Sequence, residues 1–162
     1  MIVERKMNLS HFAISRVNTL ENSAQIYQIY QSAYRLEADL IGVETFPPLE
    51  RSVSDISSCE NEFYAAIQNN SYLGIVEIEP QTVTDQPAVI ASLAVSPNWA
   101  RQGVGKLLVS FVLAEIKTVV VTTAEKNLPA IALYEQIKFI RTRTFETREG
   151  IQMVEMISSR IP

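Results

Sequence analysis

The sequence predicts an α/β fold, a mixed sheet with helices interspersed along the chain. Three observations predict it. Short apolar or alternating runs of strand character recur, near 12–17, 62–67, 72–79, 89–95, 119–123, 139–147 and 151–158. Segments with apolar residues at helical spacing alternate with them, so the order reads β α α β β β α β α β β. No repeat, low-complexity tract or linker breaks the pattern. The 162 residues therefore fit one domain over 1–162, with a core of about 12–158.

Each element has a local reason. Phe12, Ile14 and Val17 approximate the alternation of a first strand. Asn18 and Glu21 resemble a capping box, and Ile26, Ile29, Tyr30, Ala33 and Tyr34 follow at helical spacing, which predicts a helix over 19–36. The segment 37–50 is mixed, and Pro47-Pro48 predicts a short helix running to about Ser57. Glu62 to Ile67 and Tyr72 to Glu79 flank the turn formers Gln68 to Ser71, a hairpin pattern. Val89 to Val95 is nearly continuous in apolar residues and reads as a central strand buried on both faces. Val104, Leu107, Leu108, Phe111, Val112 and Ile116 form the stripe of a helix over 103–117. Val119 to Thr123 is β-branched. Asn127 then reads as an N-cap with Pro129 in the first turn of a helix over 128–137. Two strands joined by Arg148-Glu149-Gly150 finish the chain, and this terminal hairpin offers a surface for a homodimer.

Composition excludes several functions. The chain is 47% hydrophobic and 20% charged, ordinary for a globular domain. Fourteen basic and 18 acidic residues give a net charge of −4, with no basic excess to hold nucleic-acid phosphates. The only cysteine is Cys59 and the only histidine is His11, so no thiolate cluster, multi-histidine zinc site or metal centre of that kind is expected. Cys59 reads as a plain small residue, and His11 as structural or exposed. The N-terminus carries Glu4, Arg5 and Lys6 with no apolar run after them, so a signal peptide is not expected. The charge-free stretch from Gln86 to Ala100 is too short, and too rich in proline, for a membrane span. A cytoplasmic protein without nucleic-acid or membrane partners is the expectation.

One loop carries chemistry. After the strand ending at Val95 come Ser96-Pro97-Asn98-Trp99-Ala100-Arg101-Gln102, and a helix then opens on Gly103-Val104-Gly105-Lys106. A helix N-terminus presents unpaired N–H groups and the positive end of the dipole. Glycines permit close approach to the backbone, and Arg101 and Lys106 add charge, so the turn suits a phosphate or pyrophosphate. The Walker spacing is absent, and Leu108 stands where a dinucleotide fingerprint would have its third glycine. From local physics alone, a plain glycine turn and an anion cradle stand at even odds.

The stretch from Leu93 to Leu108 resembles the acyl-CoA-binding signature of the GNAT superfamily of N-acetyltransferases. Leu93, Val95 and Pro97 match the strand end, and Gly103 and Gly105 match the helix start. A second block, Asn127, Ala130, Leu133, Tyr134, Glu135 and Phe139, is similar to the family's Asn-x-x-Ala-x-x-Leu-Tyr-Glu-x-x-Gly-Phe. Element order agrees as well, so the resemblance spans nearly the whole chain and implies a GNAT fold, with a mixed, mostly antiparallel central sheet flanked by about four helices. Two positions depart. Ala100 stands where the first signature opens on Gln or Arg, and Lys138 replaces the glycine before Phe139, for which a different turn is expected.

The resemblance implies acetyl-CoA as cosubstrate and direct transfer of its acetyl group to a primary amine, on a small molecule or on a peptide or protein. It implies that Arg101, Gln102, Gly103, Val104, Gly105 and Lys106 grip the pyrophosphate. Leu93, Ala94 and Val95 would pair with the pantetheine arm as an added strand does. Asn127 would hydrogen-bond that arm, and Tyr134 would protonate the departing thiolate. Local readings stand beside these: Asn127 as a plain N-cap and Tyr134 as a core aromatic. No base is singled out among Glu77 and Glu79, expected to share an orientation on one strand, and Glu37 and Glu44, and a water chain is an alternative. Tyr27, Tyr30, Tyr34, Phe46 and Trp99 are candidates for the acceptor pocket. Two other functions stay open, a catalytically silent acyl-CoA-binding sensor or partner module and another nucleotide-phosphate binder.

Overall fold

A computed structural model describes residues 12–159 of the chain. Glu4, Arg5, Lys6 and His11 lie outside the described residues, and with them the readings made of the N-terminus.

The element order matches the expectation: β1 (Ala13–Arg16), α1 (Thr19–Ile41), α2 (Val53–Ser57), β2 (Glu62–Gln68), β3 (Ser71–Glu79), β4 (Ala88–Val95), α3 (Val104–Glu115), β5 (Thr118–Ala124), α4 (Leu128–Gln136), β6 (Ile140–Glu146) and β7 (Gln152–Ser159). The strands form one seven-stranded sheet in the order β1-β2-β3-β4-β5-β7-β6. Every neighbouring pair is antiparallel except β4 with β5. That pair needs a crossover, and α3 supplies it.

Helices cover both faces. On one face Ile26, Tyr30 and Tyr34 of α1 and Ile56 of α2 pack on Phe63, Ala65 and Ile75. On the other, Val104, Leu108 and Val112 of α3 and Ile131 and Tyr134 of α4 pack on Leu73, Val76 and Ile78. The approach of α3 requires a glycine in the sheet. A Cβ on Gly74 would lie 2.9 Å from Val104 Cγ1 and 3.0 Å from the Ala94 carbonyl oxygen.

Local signals place the element ends. Asn18 accepts a hydrogen bond from the Leu20 amide at the start of α1, and Gly42 ends the helix in the left-handed region at φ 74°. The helix therefore runs past its expected end near residue 36. Ala38 and Ile41 continue the buried stripe of Tyr34 at four and seven residues, and the glycine is the stop. The single helix expected from Pro47 to Ser57 is two pieces, a 3-10 turn at Pro47–Leu49 and then α2, which opens on a Ser52–Asp55 capping box. The β2–β3 hairpin turns through Asn69 and Asn70, whose φ values of 48° and 65° meet the demand of a type I′ turn.

β4 departs most from expectation, and the departure makes the site. Its pairing with β5 covers only Ala88, Val89 and Ile90. Its pairing with β3 then skips Ala91, passing from Ile78↔Ile90 to Glu77↔Ser92. An unpaired extra residue of this kind is a β-bulge, which bends its strand. From Ala91 onward β4 and β5 are no longer partners. Ala91 is exposed and Ser92, Leu93 and Val95 are only partly buried, so the strand is not buried on both faces along its length.

Candidate active site

The split between β4 and β5 opens a cavity of about 320 Å³. Ile90 to Leu93 form one wall and Val121 to Thr123 the other. Asn127, Ala130 and Tyr134 of α4 close one end. Tyr34 and Glu37 of α1 and Phe46 to Pro48 enter from the opposite sheet face, and Thr147, Glu149 and Ile151 arrive from the β6–β7 turn with Met153.

Two properties of this cavity matter for chemistry. The β5-facing edge of β4 beyond Ile90 presents backbone groups without a strand partner, so an extended ligand arm can pair there as an added strand. The Tyr134 side chain is 3% exposed and lines the cavity, and its hydroxyl has no hydrogen-bond partner among the described residues. Burial holds its proton well above the ordinary tyrosine range, with smaller contributions from Tyr34 and Glu37.

Asn127 serves two groups. Its side-chain oxygen caps α4 by accepting from the Ala130 amide at 3.3 Å. Its side chain also bears on Glu37: burial raises the Glu37 carboxyl, and hydrogen bonding from Asn127 opposes the rise. Glu37 makes no ion pair among the described residues.

The glycine turn lies beside the C-terminal end of β4. Gly103 N-caps the twelve-residue helix α3 at φ 87°, and a Cβ there would meet nothing within 4 Å. Its backbone therefore faces open space, and Arg101, Gln102 and Lys106 around it are exposed. Gln102 donates from Nε2 to the Asn98 carbonyl at 3.0 Å, which steadies the turn. Gly105 has another role. A Cβ there would lie 3.1 Å from Leu133 Cδ2 and within 4 Å of Leu93 and Val95, so this glycine lets the start of α3 seat against β4 and α4. Val104 is buried. Of the expected cofactor residues, Leu93 and Asn127 line the cavity, Leu93 and Val95 lie against Gly105 at the start of α3, and Ala94 is buried in the core on the α1 side.

Other candidates separate. Glu77 and Glu79 differ in burial: Glu77 is 1% exposed, whereas Glu79, the last residue of β3, is exposed. Glu77 takes both guanidinium nitrogens of Arg51, at 2.7 and 3.0 Å, together with the Tyr30 hydroxyl at 2.8 Å and Asn61 Nδ2 at 2.7 Å. Cys59 Sγ approaches it at 3.6 Å. Burial alone would raise this carboxyl, but the Arg51, Asn61 and Tyr30 hydrogen bonds outweigh it and hold it below the usual range. A carboxylate so fully bonded, and outside the cavity, is a structural clamp. Glu44 is exposed and does not line the cavity. Of the proposed pocket aromatics, Tyr34 and Phe46 line it. Tyr30 binds Glu77, Tyr27 packs against the α1 core, and Trp99 stacks edge-on with Phe12 at 6.1 Å. Thr147 and Glu149 were not anticipated, since nothing in a turn sequence says which groove it will overhang.

Comparison with known proteins decides the family. A family model described as the acetyltransferase (GNAT) family matches residues 23–139.

The chain belongs to the GNAT acetyltransferase family.

The solved structures agree on the GNAT fold. The ribosomal-protein-S18-alanine N-acetyltransferase of Escherichia coli is similar with a TM-score of 0.71 at 22% identity, over 93% of this chain and 96% of that one. YncA of Salmonella typhimurium, solved with its cofactor acetyl-CoA, is similar with a TM-score of 0.69 at 15% identity, over 93% of this chain and 94% of the other. Among curated sequences, the UPF0157 protein YqkA of Bacillus subtilis is 29% identical over 130 residues. This chain spans only 37% of that relative's length, although the match takes in 78% of the chain. Among the described residues, no helix is long and apolar enough to cross a membrane.

Proposed function

We propose that this GNAT protein is an N-acetyltransferase that passes an acetyl group from acetyl-CoA directly to a primary amine. The observation that carries the proposal is the split strand pair. β4 leaves β5 at Ile90, and the unpaired backbone edge runs toward the Gly103 helix start with Tyr134 facing the gap. These features fit the cosubstrate on chemical grounds: an extended amide-bearing arm matches an open strand edge, and a pyrophosphate matches exposed helix N–H groups beside Arg101 and Lys106.

Acetyl-CoA brings the activated thioester, and the chain's residues do the rest. The amides from Gln102 to Lys106 hold the pyrophosphate, and the open edge from Leu93 to Val95 aligns the arm. Asn127 fixes the start of α4 and so the position of Tyr134. The buried Tyr134 stays protonated at working pH and gives its proton to the departing thiolate. Glu37 is the carboxylate of the described cavity that is half-buried rather than solvated, and it receives the acceptor's ammonium and takes its proton. Its raised proton affinity brings it closer to that task than an ordinary glutamate. Transfer of this kind needs no metal, cysteine or histidine.

The test is isothermal titration with acetyl-CoA followed by turnover across amines, peptides and protein N-termini. Binding with acetylation of an amine is the expected result. No binding at millimolar acetyl-CoA would overturn the proposal, and binding without turnover on any acceptor would replace it with the sensor reading.

A further inference from the structure

Among the described residues, the cavity lining carries two carboxylates and no cation. Glu37 lies half-buried within it, and Glu149 stands exposed at its rim on the β6–β7 turn. Among the described residues, no lysine, arginine or histidine lines it. Phe46, Pro47, Pro48 and Ile151 add apolar surface to the same cavity.

These features bear on what the acceptor is. A half-buried carboxylate without an ion partner is costly, and an entering ammonium offsets that cost. An acceptor with a carboxylate beside its amine would set that carboxylate against Glu37 with nothing positive lining the cavity to receive it. Like charges held a few ångströms apart in a partly enclosed cavity repel. The apolar walls favour a hydrophobic stem over a second charge.

We propose that the acceptor is a primary ammonium carried on an apolar stem, with no carboxylate on the carbon that bears it. Small alkyl or arylalkyl amines and peptide N-termini with a hydrophobic first residue both present this chemistry, whereas free α-amino acids do not. The inference rests on the acetyltransferase reading, but its test does not depend on turnover. Phenethylamine, phenylalaninamide, a Phe-Ala-Ala-amide peptide, phenylalanine and spermidine are each titrated calorimetrically into the protein with and without CoA. Acetylation of the same compounds is measured in parallel.

The expected result is that phenethylamine and phenylalaninamide bind at least tenfold more tightly than phenylalanine. Glu37→Gln weakens the amines several-fold, and Glu149→Gln narrows the gap between the amide and the acid. Tight binding of the peptide assigns the chemistry to N-termini, and its exclusion with retained phenethylamine binding assigns it to small amines. Phenylalanine binding as tightly as its amide, spermidine binding tenfold more tightly than phenethylamine, or no binding of any monoamine would each overturn the inference. Amine binding without acetylation would leave the acceptor class standing and sink the transferase reading instead.

Discussion

At Tyr134, packing and chemistry ask for the same residue. The ring fills the core between α4 and the sheet, tilted against Phe139 at a centroid distance of 5.3 Å, while its hydroxyl has no partner among the described residues. Tyr134→Phe keeps the ring and removes only the hydroxyl proposed as proton donor. Turnover should fall about a hundredfold while acetyl-CoA affinity changes less than about twofold, as read by steady-state kinetics beside calorimetry. Glu77 is the contrasting carboxylate. Glu77→Ala leaves Arg51 without its partner and should cost about 3 kcal/mol in a denaturant melt. The two glutamates also respond to pH with opposite sign. The depressed Glu77 contributes stability that is present above its unfolded value and lost as pH falls through its folded value. The raised Glu37 penalises the folded state once ionised, so its cost is absent below its unfolded value of 4.5 and complete above its higher folded value. Glu37→Gln should therefore raise the melting temperature at pH 7, with the gain vanishing at pH 4. The same variant should lose the acidic limb of the kcat/KM profile, which in the parent rises as Glu37 ionises beside Asn127, Tyr34, Tyr134 and Glu149.

Among the elements, glycines and one lysine show where backbone geometry dictates sequence. Gly74→Ala drives a methyl into Val104 and the Ala94 carbonyl, and a chemical melt should register about 1–3 kcal/mol of destabilisation. The turn after α4 is not altered by the lysine standing in the family's glycine position. Lys138 adopts φ 72°, the left-handed conformation the glycine would take, while the Phe139 amide bonds the Tyr134 carbonyl at 2.9 Å. The strain is accommodated instead of avoided. Lys138→Gly should accordingly stabilise the protein, by up to about 1 kcal/mol in the same melt. The departure at Ala100 differs in kind. The exposed Arg101 and Lys106 supply charge at the helix start, so the proposed cradle does not need a side chain at position 100.

Across the whole molecule, the sheet acts as a frame that is opened at one seam. The bulge at Ala91 and the end of the β4–β5 pairing at Ile90 expose a strand edge in the middle of a core, where β4 would otherwise be sealed. A ligand that restores pairing along this edge replaces missing sheet hydrogen bonds. Acetyl-CoA at a hundred times its Kd should then stabilise the fold by about 2.7 kcal/mol, seen as a rise in melting temperature that grows with concentration.

Much of this was legible in the chain itself. The element order, the N-caps at Asn18 and Asn127, the Asn69-Asn70 hairpin, the two glycines after Val95 and Tyr134 at its motif spacing are all local, because caps, turns and periodicity are set by residues a few positions apart. The tertiary structure decided what depends on distant segments. An alternating or apolar run does not disclose that Ala91 will bulge and free an edge, since register is a property of two strands. Nor does a glutamate on a strand or helix announce its partners. Glu77 became a buried clamp because Arg51, Tyr30 and Asn61 converge on it. Glu37 became a cavity carboxylate because α1 runs on to Gly42, and Glu149 because a turn from the far end of the chain overhangs the same groove. Sequence determined the parts and the proposed cofactor residues, whereas the proposed acceptor wall depends on three remote segments that meet only in the fold.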